Sequence, residues 1–331
     1  MHYSWKNERQ PFMNIYLTFD IEIWCNGWSN LDDRFQSSFK RYVYGRSKYG
    51  EYALPKTLAI LEKYGISGIF FVEPLFAARF GIEYLATIVG LIHAAGHEIQ
   101  LHLHPEWADE IRPPLFLGES KKRQHLSYFT QEEQRVMINL GQDLLRQVGV
   151  NAVTAFRAGS YAANTDTYKA LAQCGIFIDS SLNHCHSVSG SDFRTEHELF
   201  SPSVIHGVKS LPISVFRDGF GKPRPAQIGA CSFSEMRSAI ATAAQQGAAH
   251  FVIVSHNFEM LRQGSSEPDR IVESRFEALC HYLATHRTEY KVSGMQNGLH
   301  LENLPITEMP FATASATVRR YAEQALRRIT G

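Results

Sequence analysis

What the chain lacks narrows its class. Its five cysteines (Cys25, Cys174, Cys185, Cys231 and Cys280) are odd in number and form no C-x-x-C pair, which argues against a disulfide framework or a cysteine zinc site. They read as reduced, incidental thiols. An excess of one charge is also missing: 33 Lys+Arg stand against 33 Asp+Glu. That balance excludes wholesale binding to nucleic acid or to an acidic membrane, so functional charge must be local. No segment reaches the ~18 consecutive apolar residues of a membrane span. There is no G-x-G-x-x-G or G-x-x-x-x-G-K-[ST] run to cradle a nucleotide. The first residues, Met1 to Met13, are polar and carry Glu8 and Arg9, unlike a signal peptide. We therefore expect a disordered extension over 1–13, or a start at Met13, and a cytoplasmic protein.

What is present is a regular alternation. Asn14–Asp20, Ser67–Glu73, His97–His104, Asn151–Arg157, Ile176–Ser180 and His250–Ser255 are short apolar runs of strand character. Leu199–Ile205, Lys209–Ser214 and Tyr290–Val292 are weaker strand candidates. Helical spacing separates them over Leu54–Tyr64, Glu83–Ala95, Asn164–Cys174 and Ile271–His286. Thr130 with Glu133, and Ser232 with Glu235, have capping-box spacing and open two more helices. Apolar strands alternating with helices describe a parallel sheet covered by helices. With so many units and no nucleotide loop, a (β/α) barrel over 14–300 is the expected architecture. Leu301–Ser315 reads as a linker, and Thr317–Ile329 as an amphipathic helix docked on the barrel, with peripheral membrane contact as the alternative.

In a parallel barrel, functional groups sit at the carboxyl ends of strands. Those ends carry Asp20 and Glu22, Glu73, His102 and His104, Arg157, Asp179 and His256. Each is costly to bury alone; together they suggest a metal with a general base and acid. Residues i and i+2 of a strand share a side, so His102 and His104 can reach one cation. Two histidines and a carboxylate leave an open position on zinc, as hydrolysis requires. Glu106 is an alternative ligand if the strand breaks at Pro105. Asp20 and Glu22 alternate correctly to act together. Trp24 and Trp28 either stack on a sugar ring or fill the long loop after the first strand. His184 and His186 read as solvated loop residues.

These residues also carry a family resemblance. Thr18–Asp20 (T-F-D), Leu61–Val72 (LEKYGISGIFFV), Gly96–Ile99 running to His102 and His104-Pro105, Phe156–Tyr161 (F-R-A-G-S-Y), Asp179–Ser181, Leu211–Ser214 and Ser255-His256 resemble, in order, the motifs of polysaccharide deacetylases, the NodB-homology domain of carbohydrate esterase family four. The resemblance spans roughly 14–295. It implies a distorted (β/α)7 barrel and a metal-dependent hydrolase, with zinc the expected cofactor, that removes an N-acetyl or similar group from an amino sugar in a glycan or glycan precursor. It implies Asp20 as the base acting on metal-bound water and Arg157 as the group holding Asp20. Backbone N–H groups near Ser160 and Tyr161 would stabilise the oxyanion, and His256 would protonate the amine. Asp179 would orient either Arg157 or His256.

The chain departs from the family pattern. Ile21 stands where a second Asp is usual, which makes Glu22 the nearest substitute. The second motif commonly has histidines four apart; here that spacing gives Glu106. Gly159 replaces the usual Pro of the third motif. The resulting expected ligand set is Glu22, His102 and His104. Other readings are a deformylase or cyclic-amide hydrolase on the same scaffold, a non-haem iron enzyme, and a glycan-binding module without activity. Asp20, Arg157 and His256 together favour hydrolysis. A cytoplasmic location would supply sugar nucleotides or lipid-linked intermediates.

Overall fold

The structure is a computed structural model that describes residues 13–116, 122–186, 192–193, 199–296 and 308–330. Of the disordered extension expected over 1–13, only Met13 is described, and it begins the first strand; of the linker expected over 301–315, residues 301–307 lie outside the described residues and the last helix already begins at Ala314.

The apolar runs form one sheet. Its strands are β1 (Met13–Ile21), β2 (Ile69–Val72), β3 (Glu98–Leu103), β4 (Ala155–Ala158), β5 (Ile178–Asp179), β6 (Ser203–Ile205), β7 (Val208–Ser210), β8 (His250–His256) and β9 (Tyr290–Val292). Their spatial order is β8-β1-β2-β3-β4-β5-β7-β6, with β9 beside the start of β1. All pairs are parallel except β6 with β7. The chain after β7 then crosses to β8: Ser214 N donates to Val252 O, and Ile228 N to Val254 O. The sheet thereby curls into a distorted (β/α) barrel.

Helices cover the outside: α1 (Leu31–Phe39), α2 (Leu54–Tyr64), α3 (Ile82–Ala94), α4 (Gln131–Gln147), α5 (Thr165–Gln173), α6 (Phe233–Gln245), α7 (Arg270–Thr285) and α8 (Ala314–Thr330). Both expected capping boxes form, at Thr130 and at Ser232, and Asn164 makes a third with Thr167. The loop expected after β1 instead holds α1. Its apolar residues Leu31, Phe35 and Phe39 are buried at helical spacing, but polar residues between them mask the period.

The period of the strands decides what faces inward. Tyr16, Phe71, Ile178, Val252 and Val254 form the barrel interior. Ile15, Leu17 and Phe19 point outward into the larger core beneath the helices. Continuing the inward set 16, 18, 20 along β1 places Asp20 inside at the mouth, and Glu22 follows on the same side.

Helix α8 docks through its polar face. Arg320 is buried and bonds Glu235 at 2.9 Å and Asp218 at 2.8 Å, and Thr317 donates to Glu235 at 2.8 Å. The apolar residues Val318, Tyr321 and Ile329 are exposed instead, at 56%, 43% and 81%. Among the described residues, no helix is long and apolar enough to cross a membrane.

Candidate metal centre and acid–base cluster

The ladder registers set the site. Asp20 on β1 pairs across to His256 on β8, and His102 on β3 to Arg157 on β4. Glu22 lies just beyond β1, and Asn257 ties it down: Glu22 N donates to Asn257 Oδ1 at 3.2 Å, and Asn257 Nδ2 donates to Glu22 O at 3.1 Å.

Glu22, His102 and His104 converge. Glu22 Oε1 lies 3.0 Å from Nε2 of each histidine, and the three are buried with donor atoms close enough to share one ion. His102 Nδ1 is 2.8 Å from the backbone carbonyl of Arg157. A carbonyl only accepts, so Nδ1 carries the proton and Nε2 is the atom left for a cation. Glu106 is on the far side of His104: its Oε2 is 3.4 Å from Nδ1, ion-pair distance without hydrogen-bond geometry. Glu22 Oε2 accepts from Trp24 Nε1 at 2.7 Å.

Charge follows this geometry. Burial alone would raise the Glu22 carboxyl, but the His104 charge and hydrogen bonds from both histidines hold it well below the usual range. Burial likewise opposes a charged His104, yet Glu22 and Glu106 push it well above the ordinary imidazole value. A proton on His104 thus supplies the positive charge that Glu22 demands. A divalent cation on the same atoms would supply it instead, so the donor set fits one.

Next to this centre lies a buried ion pair. Arg157 Nη1 donates to Asp20 Oδ1 at 2.6 Å. The guanidinium is further fixed by Ser180 O at 3.1 Å and Ser180 Oγ at 3.0 Å, over the face of Phe71. Asp20 Oδ2 is left toward His256, 4.0 Å from Nε2; Glu22 Oε1 is 3.9 Å from the same nitrogen. His256 Nδ1 meets Glu259 Oε1 at 2.9 Å. Burial lowers the His256 pKa, but Glu259 and the Glu22 and Asp20 charges outweigh it and lift it to about 9. Glu259 also fixes the orientation of the ring.

Asp179 makes no hydrogen bond to either Arg157 or His256. It accepts from Tyr168 at 2.7 Å and from Ser181 Oγ at 2.5 Å and N at 3.0 Å. Ser181 Oγ in turn accepts from Ala158 N at 2.8 Å. The residues after Asp179, rather than its carboxylate, brace β4 and Arg157. Ser160 and Tyr161 both adopt left-handed backbone, φ 54° and 58°, a strained state for non-glycine residues that clusters at functional sites. Trp24 and Trp28 are packed: Trp24 edges onto His104 at 4.7 Å and Trp28 onto Trp107 at 4.9 Å, with Lys122 over its face at 4.2 Å. His186 leans on the Tyr161 ring at 5.0 Å.

Sequence reasoning missed Glu259 and Asn257. The signal for Glu259 was its place three residues after His256, the reach needed to hold the second ring nitrogen. Asn257 gave none, because it acts through backbone bonds.

A family model described as polysaccharide deacetylase matches residues 8–177. No curated protein matches the chain. Among solved structures, a Mycobacterium smegmatis protein provisionally described as a polysaccharide deacetylase is 21% identical, with TM-score 0.55 over 91% of this chain and 97% of that one. A 4-alpha-glucanotransferase from Thermococcus litoralis is 11% identical, with TM-score 0.54 over 92% of this chain and 42% of that one. Both are similarities of fold.

Proposed function

Because the chain belongs to the polysaccharide deacetylase family, we propose that it is a metal-dependent hydrolase that removes an N-acetyl or similar N-acyl group from an amino sugar of a glycan or glycan precursor. One observation carries the reading. Asp20 Oδ2 and Glu22 Oε1 both face His256 Nε2 within 4.0 Å, beside the paired histidines 102 and 104. A base, an acid and a cation site thus share one mouth.

Glu22, His102 and His104 are the residues that would hold the ion, with zinc the best match to two imidazoles and a carboxylate. Glu106 then acts as the partner that orients His104 rather than as a ligand. When bound, the cation supplies Lewis-acid polarisation of the scissile carbonyl and makes water a competent nucleophile near neutral pH.

The chain's own residues do the rest. Arg157 occupies Asp20 Oδ1 and holds that carboxylate in place, with Oδ2 toward His256. Asp20 Oδ2 takes the proton from the attacking water as its oxygen bonds to the acyl carbon. Backbone N–H groups of the Ser160–Tyr161 turn face the developing oxyanion. His256 Nε2 gives its proton to the amide nitrogen as the C–N bond breaks, releasing a carboxylic acid and a free amine. Glu259 holds the other ring nitrogen through this transfer.

The test is metal content by mass spectrometry on protein purified without chelator, paired with acid release from N-acetylated and N-formylated amino sugars. About one divalent ion per chain with acetate released supports the reading. Formate alone would change the acyl group to formyl. No metal after reconstitution, and no acid, would make the chain a glycan-binding module.

A further inference from the structure

Helix α8 is held on the barrel so that its apolar residues cannot turn inward. Arg320 is buried between Glu235 and Asp218. Thr317 Oγ1 accepts from Gly219 N at 2.8 Å, and the Ala316 carbonyl accepts from Ser232 Oγ at 3.2 Å. Asp218 also holds the turn packed against the start of the helix: its Oδ1 accepts from the backbone N–H groups of Phe220 and Lys222, each at 3.0 Å. The two backbones meet closely there, since a Cβ on Gly219 would lie 2.2 Å from Ala314 Cα. Rolling the helix to bury its apolar side would strip Arg320 from two buried carboxylates, a strongly destabilising change.

The apolar side is one continuous stripe. At about 100° per residue, Val318, Tyr321, Ala322, Ala325, Leu326 and Ile329 share one side of the helix, and all six are exposed. Phe220 extends the stripe from the neighbouring turn: it too is exposed, and its ring stacks on Tyr321 at 6.1 Å. A long exposed apolar run of this kind marks an interaction surface.

The exposed charges beside the stripe are of one sign. Helical spacing puts Arg319 on one flank and Arg328 on the other, and Lys222 follows Phe220 in the turn; all three are exposed. Glu323 is the one acid of the helix. It is shared by Arg275 at 2.8 Å and Arg319 at 3.3 Å, while Asp218 is buried against Arg320. Even with Arg319 paired, the surplus at this face is positive, although the whole chain is neutral.

We propose that α8 and the Phe220 turn seat the protein on an anionic lipid bilayer. The helix lies in the plane of the interface with its stripe toward the acyl chains, and the basic side chains on its flanks reach up to the lipid phosphates. A second copy of the chain fits this face poorly. In a two-fold dimer the face meets itself, and its cations would stand against cations. The opposite, docked side of α8 carries Arg327, which lines one cleft together with His256, so the membrane-facing helix borders the site. The proposal does not depend on the hydrolase reading.

Co-sedimentation of the full chain with vesicles tests it, comparing phosphatidylcholine alone with phosphatidylcholine containing phosphatidylglycerol. The chain should bind the mixed vesicles at least about tenfold more strongly, as a few basic groups near the surface predict, and added salt should reduce that advantage. Val318→Glu/Ile329→Glu should weaken binding to mixed vesicles at least about tenfold. Lys222→Gln/Arg328→Gln, which leaves the stripe intact, should lose most of the preference for the anionic lipid. All four side chains are exposed, so both variants should melt with the parent, which circular dichroism checks.

No binding of the parent to mixed vesicles overturns the proposal, as does equal binding to the two vesicle types or binding that the stripe variant leaves unchanged. A parent that is dimeric by light scattering, does not bind vesicles, and becomes monomeric in Val318→Glu/Ile329→Glu would make this face a contact between copies instead.

Discussion

Gly159 and His104 are fitted to each other: a Cβ on Gly159 would lie 2.6 Å from both Cε1 and Nδ1 of the His104 ring. The two departures from the family pattern, histidines two apart and glycine at 159, are therefore one departure. The second histidine occupies the space a side chain at 159 would take. Gly159→Ala should displace His104, keep the fold, and weaken zinc binding by about 10–100-fold, the usual loss when a ligand's support is disturbed. Chelator competition measures this. Unchanged zinc affinity would mean that His104 is no ligand.

Trp24 offers a cleaner separation of roles. Its indole N–H donates to Glu22 Oε2, and its ring lines a cleft of about 530 Å3 whose wall includes His256. Trp24→Phe keeps a smaller aromatic face and removes the donor. We expect zinc affinity to fall about tenfold or more while sugar binding to the zinc-free chain changes little. The opposite pattern would assign Trp24 to sugar stacking.

The Asp20–Arg157 pair dictates how the base must be tested. Arg157 is fully buried, so Asp20→Ala strands a charge and should cost about 3–5 kcal/mol of stability. Asp20→Asn keeps an acceptor for Nη1 and should cost less, while reducing turnover by at least about 100-fold. Urea unfolding beside acid-release rates distinguishes the two effects. An Asn variant with near-normal turnover would place the base elsewhere.

Much of this site was legible in sequence because strand ends expose their chemistry. T-F-D, F-R-A-G and S-H each place one polar residue at a predictable mouth and H-x-H places two, and they come together there. Partnerships made across space were not legible. Nothing local to Glu106 says that it faces the outer nitrogen of His104, or that Ser180 and Ser181 rather than the Asp179 carboxylate brace Arg157 and β4. Helix α8 misled for a related reason. Its apolar stripe suggested the docked face, but Arg320 finds two buried carboxylates on the barrel, and that face docks instead.

Glu73, at the end of β2, gives a pH signature. Burial pushes its carboxyl up to about 8, against the backbone N–H bonds from Leu75 and Phe76. Its folded value lies above its ordinary one of 4.5, so the folded chain holds a proton that the unfolded chain has lost. Its stabilising contribution is complete below about pH 4.5 and is lost as pH rises to about 8, at up to about 1.4 kcal/mol per pH unit. Glu73→Gln removes this dependence. Subtracting variant from parent unfolding free energies at pH 5, 6, 7 and 8, both zinc-free, should show the slope. A flat difference would mean that Glu73 is ionised in the fold.

The register that pairs Asp20 with His256 also fixes when the site can exist. Glu22 and its anchor Asn257 are 235 residues apart. At about 5–20 residues per second, a ribosome needs roughly 10–50 s to make the intervening chain. During that interval β1 has one apolar edge unpaired, the kind of edge that invites aggregation. A chain stopped short of β8 carries Asp20, Glu22, His102 and His104 but not His256. Such a fragment also lacks Asn257, the anchor of Glu22, so the carboxylate beside the two histidines is placed only when the last quarter of the chain arrives.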